Sequence, residues 1–312
     1  MSMKLTEDHR KLLKVASLYY REGLTQSDIA RQVGISRPVI SKMLQSAKEQ
    51  GIVTIYIKDE NAEVVQLAND LTRKYGLRDA IVVPSETDYA ETQRGLAQGA
   101  AGLVSSYLPN IQSIGISWGT TLAKVVDAMP YEGFSEIMVR PLVGGVASQH
   151  VYYDTNHLAF RLSEKLGAGC SYLYAPALAE TKELAKVLNQ SRLVQRALRE
   201  AEAVDLALIG VGNPQQSSTW RQLGYMTAEC LRDDAIIGDA VGSLFDKNGK
   251  TIDNKMTERM IGIKVEALEA IPNTMLIAAG SQKARAIQAL LSGRCANLLV
   301  VDRALAEELL AD

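Results

Sequence analysis

The chain has few of the residues from which metal sites and disulfide frameworks are built. Its 312 residues include three cysteines and three histidines. Cys170, Cys230 and Cys295 are scattered and show no metal-ligand spacing, so they predict reduced thiols rather than disulfides. The histidines are too few and too dispersed for a histidine-rich metal centre. The sequence therefore predicts neither a metal nor a cofactor.

Long apolar runs are also missing. No stretch approaches the length needed to cross a bilayer, and the first residues, MSMKLTEDHRKLLK, lack the apolar core of a secretory signal. With 47% hydrophobic and 22% charged residues, the composition is typical of soluble proteins. These features predict a cytoplasmic protein with no membrane partner. The length suits one small and one large domain.

The most informative pattern is that of a helix-turn-helix near the N-terminus. Thr25 is suited to cap a first helix beginning at Gln26, because its hydroxyl can accept an orphan backbone N–H. Gly34 suits the turn, since glycine tolerates positive φ. Ser36 is expected to cap the second helix, with Pro38 in its first turn. Apolar residues between these positions fit two helices packed across a short turn.

The outer face of the second helix carries hydrogen-bonding groups suited to base edges and phosphates. We predict that it enters the major groove of double-stranded DNA. The predicted DNA-contacting residues are Thr25, Gln26, Ser36, Arg37, Pro38, Ser41, Lys42 and Gln45. A pair of solvated amphipathic helices that never touch DNA is the alternative. The agreement of cap, turn glycine and basic face favours DNA binding.

The flanking segments and the charge distribution support this prediction. A further helix is expected from Glu7 to Glu22, and the alternating run from Ile52 to Ile57 is expected to form a strand or wing. Residues 1–57 contain nine basic and five acidic residues, net +4, whereas the whole chain is −2, which leaves −6 for the remainder. Attraction to a polyanion is therefore expected in the N-terminal domain, 1–57, with the second domain at 58–312. So modest a charge predicts two or more copies per DNA complex.

From about Asp59 onward, helical segments alternate with short apolar runs. The runs lie at 80–83, 113–117, 137–139, 206–209, 275–278 and 298–301. Such alternation predicts a mostly parallel sheet covered on both faces by helices. Ligands of such sheets bind beyond the carboxyl ends of the strands, where backbone N–H groups and helix N-termini collect.

Three glycine-containing loops, at 117–121, 144–150 and 210–214, fall at these predicted strand ends. Together they predict a pocket for an anion or a sugar phosphate. Asp239 adds a carboxylate beside glycines, and Lys283 adds a cation at a helix start, where the helix dipole usually favours acids. The predicted pocket residues are Ser117, Trp118, Gly119, Thr120, Thr121, Gly144, Gly145, Gly210, Gly212, Asp239 and Lys283.

These motifs resemble the SorC family of bacterial transcriptional regulators over nearly the whole chain. The matching stretches are LYY at 18–20, LTQ at 24–26, ISR at 35–37, GISWG at 115–119, PLVGG at 141–145, IGVG at 209–212, GD at 238–239, FD at 245–246 with Gly249, and AGSQK at 279–283. The resemblance implies an α/β protein: an all-α helix-turn-helix domain, then a Rossmann-like, mostly parallel-sheet domain similar to sugar-phosphate isomerases and deaminases. It also implies a sugar-phosphate effector and assembly into dimers or tetramers.

Residue by residue, the resemblance implies a phosphate seat formed by the Gly-Thr-Thr stretch at 119–121 together with Lys283. It implies that the glycine pair at 144–145 lines the pocket and that Asp239 holds a sugar hydroxyl. Some members have Arg or Lys immediately before that pair, where this chain has Val143. A monophosphate is therefore expected to bind better than a bisphosphate.

An enzyme remains the alternative: a sugar-phosphate isomerase or deaminase fused to a DNA-binding domain. The fold permits both functions, and an enzyme would need a positioned general acid and base. The candidates are Asp154, His157, Asp239 and His150. The fused helix-turn-helix favours a regulator. Whether the regulator represses or activates, and which sugar it senses, stay open.

Overall fold

The computed structural model describes residues 7–53, 62–146, 148–216, 219–226 and 233–311. It divides the chain into two units, Met1–Glu60 and Asn61–Asp312. The sequence pattern places this boundary three residues earlier, between residues 57 and 58.

The described residues of the first unit form three helices, α1 (Glu7–Tyr20), α2 (Gln26–Val33) and α3 (Arg37–Glu49). The Thr25 side chain accepts a hydrogen bond from the Asp28 N–H at 3.2 Å, and Gly34 ends α2 with φ of 75°. In α1, Leu18 is buried and Tyr20 is exposed. The apolar core consists of Val15, Leu18, Ile29, Ile40 and Leu44. Most of the expected strand or wing, residues 54–57, lies outside the described residues.

The strands of the second unit are β1 (Asp79–Val83), β2 (Ser113–Ile116), β3 (Met138–Pro141), β4 (Gly169–Cys170), β5 (Leu206–Gly210), β6 (Gly238–Ala240), β7 (Ser243–Phe245), β8 (Asn273–Ala278) and β9 (Leu298–Asp302). Seven of them form one sheet in the order β1-β9-β8-β5-β2-β3-β4, with every neighbouring pair parallel. β6 and β7 form a separate antiparallel hairpin. The predicted parallel α/β architecture is confirmed.

The helices within the described residues of this unit are α4 (Ala62–Tyr75), α5 (Tyr89–Tyr107), α6 (Thr120–Ala128), α7 (Thr155–Leu166), α8 (Lys182–Gln190), α9 (Arg192–Glu202), α10 (Thr219–Gln222), α11 (Ala284–Ser292) and α12 (Arg303–Leu310). Short 3-10 segments lie at Leu108–Asn110, Ser148–Tyr153, Thr257–Arg259, Val265–Ala270 and Ser281–Lys283. Side-chain caps begin several of the helices: Asp88 accepts from the Ala90 N–H at 2.9 Å and Thr181 from the Leu184 N–H at 3.1 Å.

The core lies on both faces of the sheet because successive strand residues point to opposite sides. In β5, Leu206 and Leu208 pack with α5, α6 and α7, whereas Ala207 and Ile209 pack with α4, α11 and α12. All four residues are fully buried. A strand buried on both faces explains why the apolar runs are continuous rather than alternating.

The strand order reverses direction between β2 and β5. From β2 the chain continues outward to β3 and β4, and from β5 it continues to β8 and β9 on the other side. The two diverging crossovers leave a crevice at the carboxyl ends of these strands, which is where ligands of open parallel sheets bind.

In the described part of the chain, no helix combines the length and apolar character needed to cross a membrane. Cys170 and Cys295 are free thiols, and burial raises the pKa of Cys295 to about 11. Cys230 lies outside the described residues.

Candidate functional site

The helix-turn-helix presents the predicted DNA-contacting residues on its surface. Ile40 and Leu44 turn the inner face of α3 to the core, with 0% and 4% exposure. The outer face of α3 carries Arg37, Ser41 and Lys42, all exposed. Gln45 is also exposed and donates a hydrogen bond to Glu49 at 3.0 Å. Thr25, Ser36 and Pro38 are exposed and Gln26 is half-buried.

Ser36 occupies the N-cap position of α3, but the expected side-chain cap is wrong. Its backbone is extended, with φ −74° and ψ 150°, and its side chain makes no capping hydrogen bond. An N-cap side chain bonds the second or third helical N–H. Pro38 has no N–H at the second position, and the Val39 N–H donates to the Ser36 carbonyl at 3.0 Å. Both usual partners are therefore lost.

The second unit contains a cavity of about 440 Å³ at the carboxyl ends of β2, β5 and β8. Its size falls in the range of small-molecule sites. The lining residues are Tyr89, Gln93, Trp118, Gly119, Thr120, Thr121, Lys124, Tyr152, Gly210, Val211, Gly212, Asp239, Ala240 and Lys283. Eight of the eleven predicted pocket residues thus meet in one cavity, although they come from four separate segments of the chain.

One wall of the cavity is the N-terminus of α6. Gly119 precedes the helix with φ of 116°, a conformation that favours glycine. Its own N–H donates to the Tyr153 carbonyl at 3.2 Å, so the amides open to a ligand begin at Thr120. The first N–H groups of a helix have no partner within the helix, and the helix dipole adds positive potential. This wall is suited to an anion.

Lys283 faces the same cavity from the 3-10 segment that precedes α11. The residue is only 8% exposed, and burial lowers the pKa of its ammonium, while Asp239 and Asp302 act in the opposite direction. Asp302 has other partners: it accepts from the Gly280 N–H at 2.9 Å and from the Ser85 hydroxyl at 2.8 Å. A desolvated cation beside a helix N-terminus would be stabilised by a bound anion.

The Asp239 carboxylate is positioned by its backbone. The Gly212 N–H donates to the Asp239 carbonyl at 2.9 Å, and the Asp239 N–H donates to the Gly212 carbonyl at 3.1 Å. A Cβ atom on Gly212 would lie 2.2 Å from the Asp239 Oδ1. Glycine is therefore needed at 212 for the carboxylate, which is 5% exposed, to lie against this loop. A carboxylate in this position can accept hydrogen bonds from ligand hydroxyls.

The other three predicted pocket residues lie outside this cavity. Ser117 is buried in the continuation of β2, and its N–H donates to the Leu208 carbonyl at 3.0 Å. Gly144 and Gly145 lie where two backbone segments cross: a Cβ on Gly144 would be 2.5 Å from the Pro176 carbonyl carbon. The glycine pair therefore fits backbone packing rather than the lining of this cavity.

Val143 also lies outside the cavity wall. It is completely buried and forms a bridge with Gly262. The expectation that a monophosphate is preferred depended on Val143 facing the ligand. That reason does not hold in the structure.

Sequence analysis missed several lining residues, chiefly Tyr89, Gln93, Lys124 and Tyr152. Lys124 donates to the Gln93 Oε1 at 2.8 Å, and the Gln93 Nε2 donates to the Tyr89 hydroxyl at 2.8 Å. Tyr152 donates instead to Asp127. A weak signal existed, because the 89/93 spacing and the position of Lys124 one turn after Thr120 each place side chains on one helix face.

Among the described acid–base candidates of the enzyme alternative, Asp239 lines the cavity and the others do not. The two Asp154 carboxylate oxygens accept from the His157 N–H at 3.0 Å and from the Val146 N–H at 2.7 Å. Asp154 is thus the N-cap of α7, and neither it nor His157 lines the cavity. The side chain of His150 is outside the described part. Among the described residues, no cluster of His, Cys, Asp and Glu could hold a metal ion.

The two tryptophans are in contact, and one of them, Trp118, lines the cavity. Trp118 and Trp220 pack edge to face, with ring centroids 4.4 Å apart and an interplanar angle of 71°. Trp220 is fully buried, and Tyr225 lies against it with centroids 5.8 Å apart. Trp118 therefore connects the ligand cavity to the apolar cluster beneath α10.

Comparisons with known proteins identify a family for each of the two units. Residues 59–311 match the family model Sugar-bind, described as "Putative sugar-binding domain", and residues 15–54 match a winged helix-turn-helix DNA-binding model. The sorbitol operon regulator of Klebsiella pneumoniae is 32% identical, covering 99% of this chain and 100% of that protein. The deoxyribonucleoside regulator of Bacillus subtilis is 29% identical, covering 98% and 99%.

Solved structures of transcriptional regulators are also similar to this chain. The crystal structure of the full-length Klebsiella regulator SorC superposes with a TM-score of 0.76 at 31% identity, covering 98% of this chain and 100% of that chain. A DeoR family transcriptional regulator from Listeria monocytogenes has a TM-score of 0.73 at 30% identity, covering 79% and 99%.

Proposed function

Because the chain belongs to the SorC family of transcriptional regulators, we propose that a phosphorylated sugar in the cavity controls how tightly its helix-turn-helix binds operator DNA. The chain is a DNA-binding transcriptional regulator with a sugar-binding effector domain. Relatives are named for sorbitol and for deoxyribonucleosides. The regulated operon is accordingly one for the use of a sugar or nucleoside, and the protein acts in the cytoplasm without a cofactor.

The phosphate is proposed because the buried Lys283 faces the same cavity as the N-terminus of α6. The Thr120 and Thr121 hydroxyls and amides add donors to the same wall. Every one of these groups suits an oxyanion, and Lys283 contacts it as a point charge rather than as a bidentate clamp. Asp239 accepts from sugar hydroxyls, which fixes orientation more than affinity.

Two substitutions separate these roles. Lys283→Met should weaken a phosphorylated sugar by about 1.5–3 kcal/mol, the range for hydrogen bonds to charged groups, and should hardly change binding of the free sugar. Asp239→Ala should weaken both. Lys186→Met, on an exposed position of α8, is the matched control and should change neither.

The experiment begins with thermal unfolding against pentose and hexose phosphates and their free sugars. A ligand that binds only the folded chain raises its stability by RT ln(1 + [L]/Kd). Calorimetry on the wild type and the three variants then gives the affinities. Tighter binding of free sugars, or a phosphate preference that survives Lys283→Met, would contradict the proposed phosphate seat.

Operator binding requires more than one copy in this proposal. A module with a net charge near +4 can neutralise few phosphates, so two-fold pairing places two α3 helices on half-sites one helical turn apart or a multiple of it. The assembly is a dimer or a tetramer. Sedimentation of the chain with operator duplex selected from a random pool measures this, and a single copy bound at full affinity would refute it.

No turnover of the effector is expected. The acid–base candidate Asp154 is fixed as a helix cap, and His157 does not line the cavity. Nuclear magnetic resonance spectra of each binding sugar phosphate, recorded during incubation with the protein, should show no isomerised or deaminated product. A product that forms with the wild type would favour the enzyme alternative.

A further inference from the structure

A second set of polar side chains lines the cavity, and the proposed phosphate seat does not use it. Tyr89 and Gln93 come from the first turns of α5, and Lys124 comes from α6. This set is called the α5–α6 wall below. Its Lys124 lies one turn along α6 from Thr120, which corresponds to about 6 Å of helix rise.

The hydrogen bonds within the α5–α6 wall fix which atoms can face a ligand. The Lys124 ammonium only donates, so the Gln93 atom 2.8 Å from it is the carbonyl oxygen. The Gln93 amide nitrogen then donates to the Tyr89 oxygen at 2.8 Å. Tyr89 accepts in this bond, which leaves its own O–H to donate elsewhere. Two further N–H groups of Lys124 are left as well.

The charge of the wall is not neutralised by a neighbouring carboxylate. Asp127, three residues further along α6, bonds Tyr152 and Arg161. Within the described ranges Lys124 forms no ion pair. Burial raises the pKa of Tyr89 and outweighs the opposite effect of the hydrogen bond from Gln93, so the hydroxyl stays protonated near neutral pH. The wall therefore offers donors and a positive charge.

We propose that the α5–α6 wall binds a second oxyanion of the effector, separate from its phosphate, so that the effector is a phosphorylated sugar acid or a sugar bisphosphate. This inference rests on the proposed function, since it adds a subsite to the same cavity. A neutral hydroxyl would use the available donors less fully, because an oxyanion accepts several hydrogen bonds and also compensates the ammonium charge.

Matched ligand pairs test the second subsite. In 6-phosphogluconate C1 is a carboxylate, whereas in glucose 6-phosphate it is the hemiacetal carbon of the ring. Fructose 6-phosphate and fructose 1,6-bisphosphate differ by a phosphate. In calorimetry, the more acidic member of a binding pair should bind the wild type about ten- to a hundredfold tighter, the range for charge-assisted hydrogen bonds. The two pairs distinguish a carboxylate from a phosphate as the second group.

Three variants test which side chains cause the preference for the more acidic ligand of a pair. Lys124→Met should bring the affinity ratio within a pair close to one. Gln93→Glu is nearly isosteric and should reverse the ratio, because it adds a negative charge beside Lys124. Lys186→Met has the same change in net charge outside the cavity and should keep the ratio. Thermal unfolding without ligand checks that each variant is folded.

The outcomes separate this inference from the proposed function. If monophosphates bind in a Lys283-dependent manner but the wild type does not prefer the acidic member, the second subsite is rejected and the phosphate seat stands. If Lys124→Met weakens the binding of both members of a pair equally, Lys124 contacts the phosphate itself. This result would also reject the second subsite. If no sugar phosphate of either pair or of the wider panel binds, both are rejected.

Discussion

Replacing Gly212 by alanine should disable sugar recognition while leaving the phosphate seat in place. The added Cβ would lie 2.2 Å from the Asp239 Oδ1 and 2.7 Å from its Cγ, whereas ordinary contacts begin at 3.4 Å. The carboxylate or the loop must therefore move by more than an ångström. Moving the loop breaks the two backbone hydrogen bonds between Gly212 and Asp239, which together contribute about 1–3 kcal/mol.

Moving the carboxylate instead costs its hydrogen bonds to the sugar, about 1.5–3 kcal/mol for a charged acceptor. By either route the Kd should rise by about tenfold or more for phosphorylated and free sugars alike. Calorimetry with the tightest ligand of the panel and with its free sugar measures both.

Gly102→Ala is the matched control for this substitution. Gly102 lies in α5, is exposed, and has no atom within 4 Å of an added Cβ. Alanine there should leave sugar affinity unchanged and should stabilise the helix by about 0.5–1 kcal/mol. The reasoning about Gly212 would be refuted by a correctly folded Gly212→Ala variant that binds both ligands as tightly as the wild type.

Three other predictions concern separate parts of the chain. Arg37→Ala should weaken operator binding by about 1–3 kcal/mol if Arg37 contacts a guanine, whereas Arg73→Ala in α4 should not change it. Fluorescence anisotropy with labelled operator measures both affinities. Equal operator affinities of Arg37→Ala and the wild type would remove Arg37 from the DNA interface. Gly34→Ala should lower the free energy of unfolding of the N-terminal unit by more than about 1 kcal/mol, because alanine is strained at φ of 75°. An unchanged free energy of unfolding in denaturant titrations would contradict the turn. Burial lowers the pKa of Lys283, so the unfolded chain binds the proton more readily than the folded chain. The free energy of unfolding should therefore rise with pH between the lowered pKa and the ordinary value of 10.5. Denaturant titrations across that interval should show this rise in the wild type and not in Lys283→Met.

The helix-turn-helix was predictable because its determinants are local. Thr25 and Gly34 act on backbone groups within a few residues, so their roles follow from the sequence. The absent cap at Ser36 follows the same local rules, once the missing N–H of Pro38 is considered together with the partner of the Val39 N–H. The alternation of strands and helices was predictable for a similar reason, since each buried strand is a continuous apolar run.

The candidate site was predictable only where a motif coincides with a strand end. Gly144 and Gly145 look like a ligand loop in the sequence, but the small size of Gly144 serves the close approach of the backbone at Pro176, and that of Gly145 serves contact with the Asp154 side chain. Lys124 and Gln93 carry no motif. Their position in the cavity depends on how α5 packs against α6, and that contact cannot be derived from either helix alone.

The tryptophan pair beside the cavity gives the protein an intrinsic optical reporter. The chain has two tryptophans, Trp118 and Trp220, and they are in van der Waals contact. Emission excited selectively from tryptophan therefore originates at the effector cavity, and filling the cavity should change the polarity around Trp118. The DNA-binding unit contributes no such emission. A change in emission when operator is added would thus be a direct, label-free measure of communication from the DNA to the effector domain.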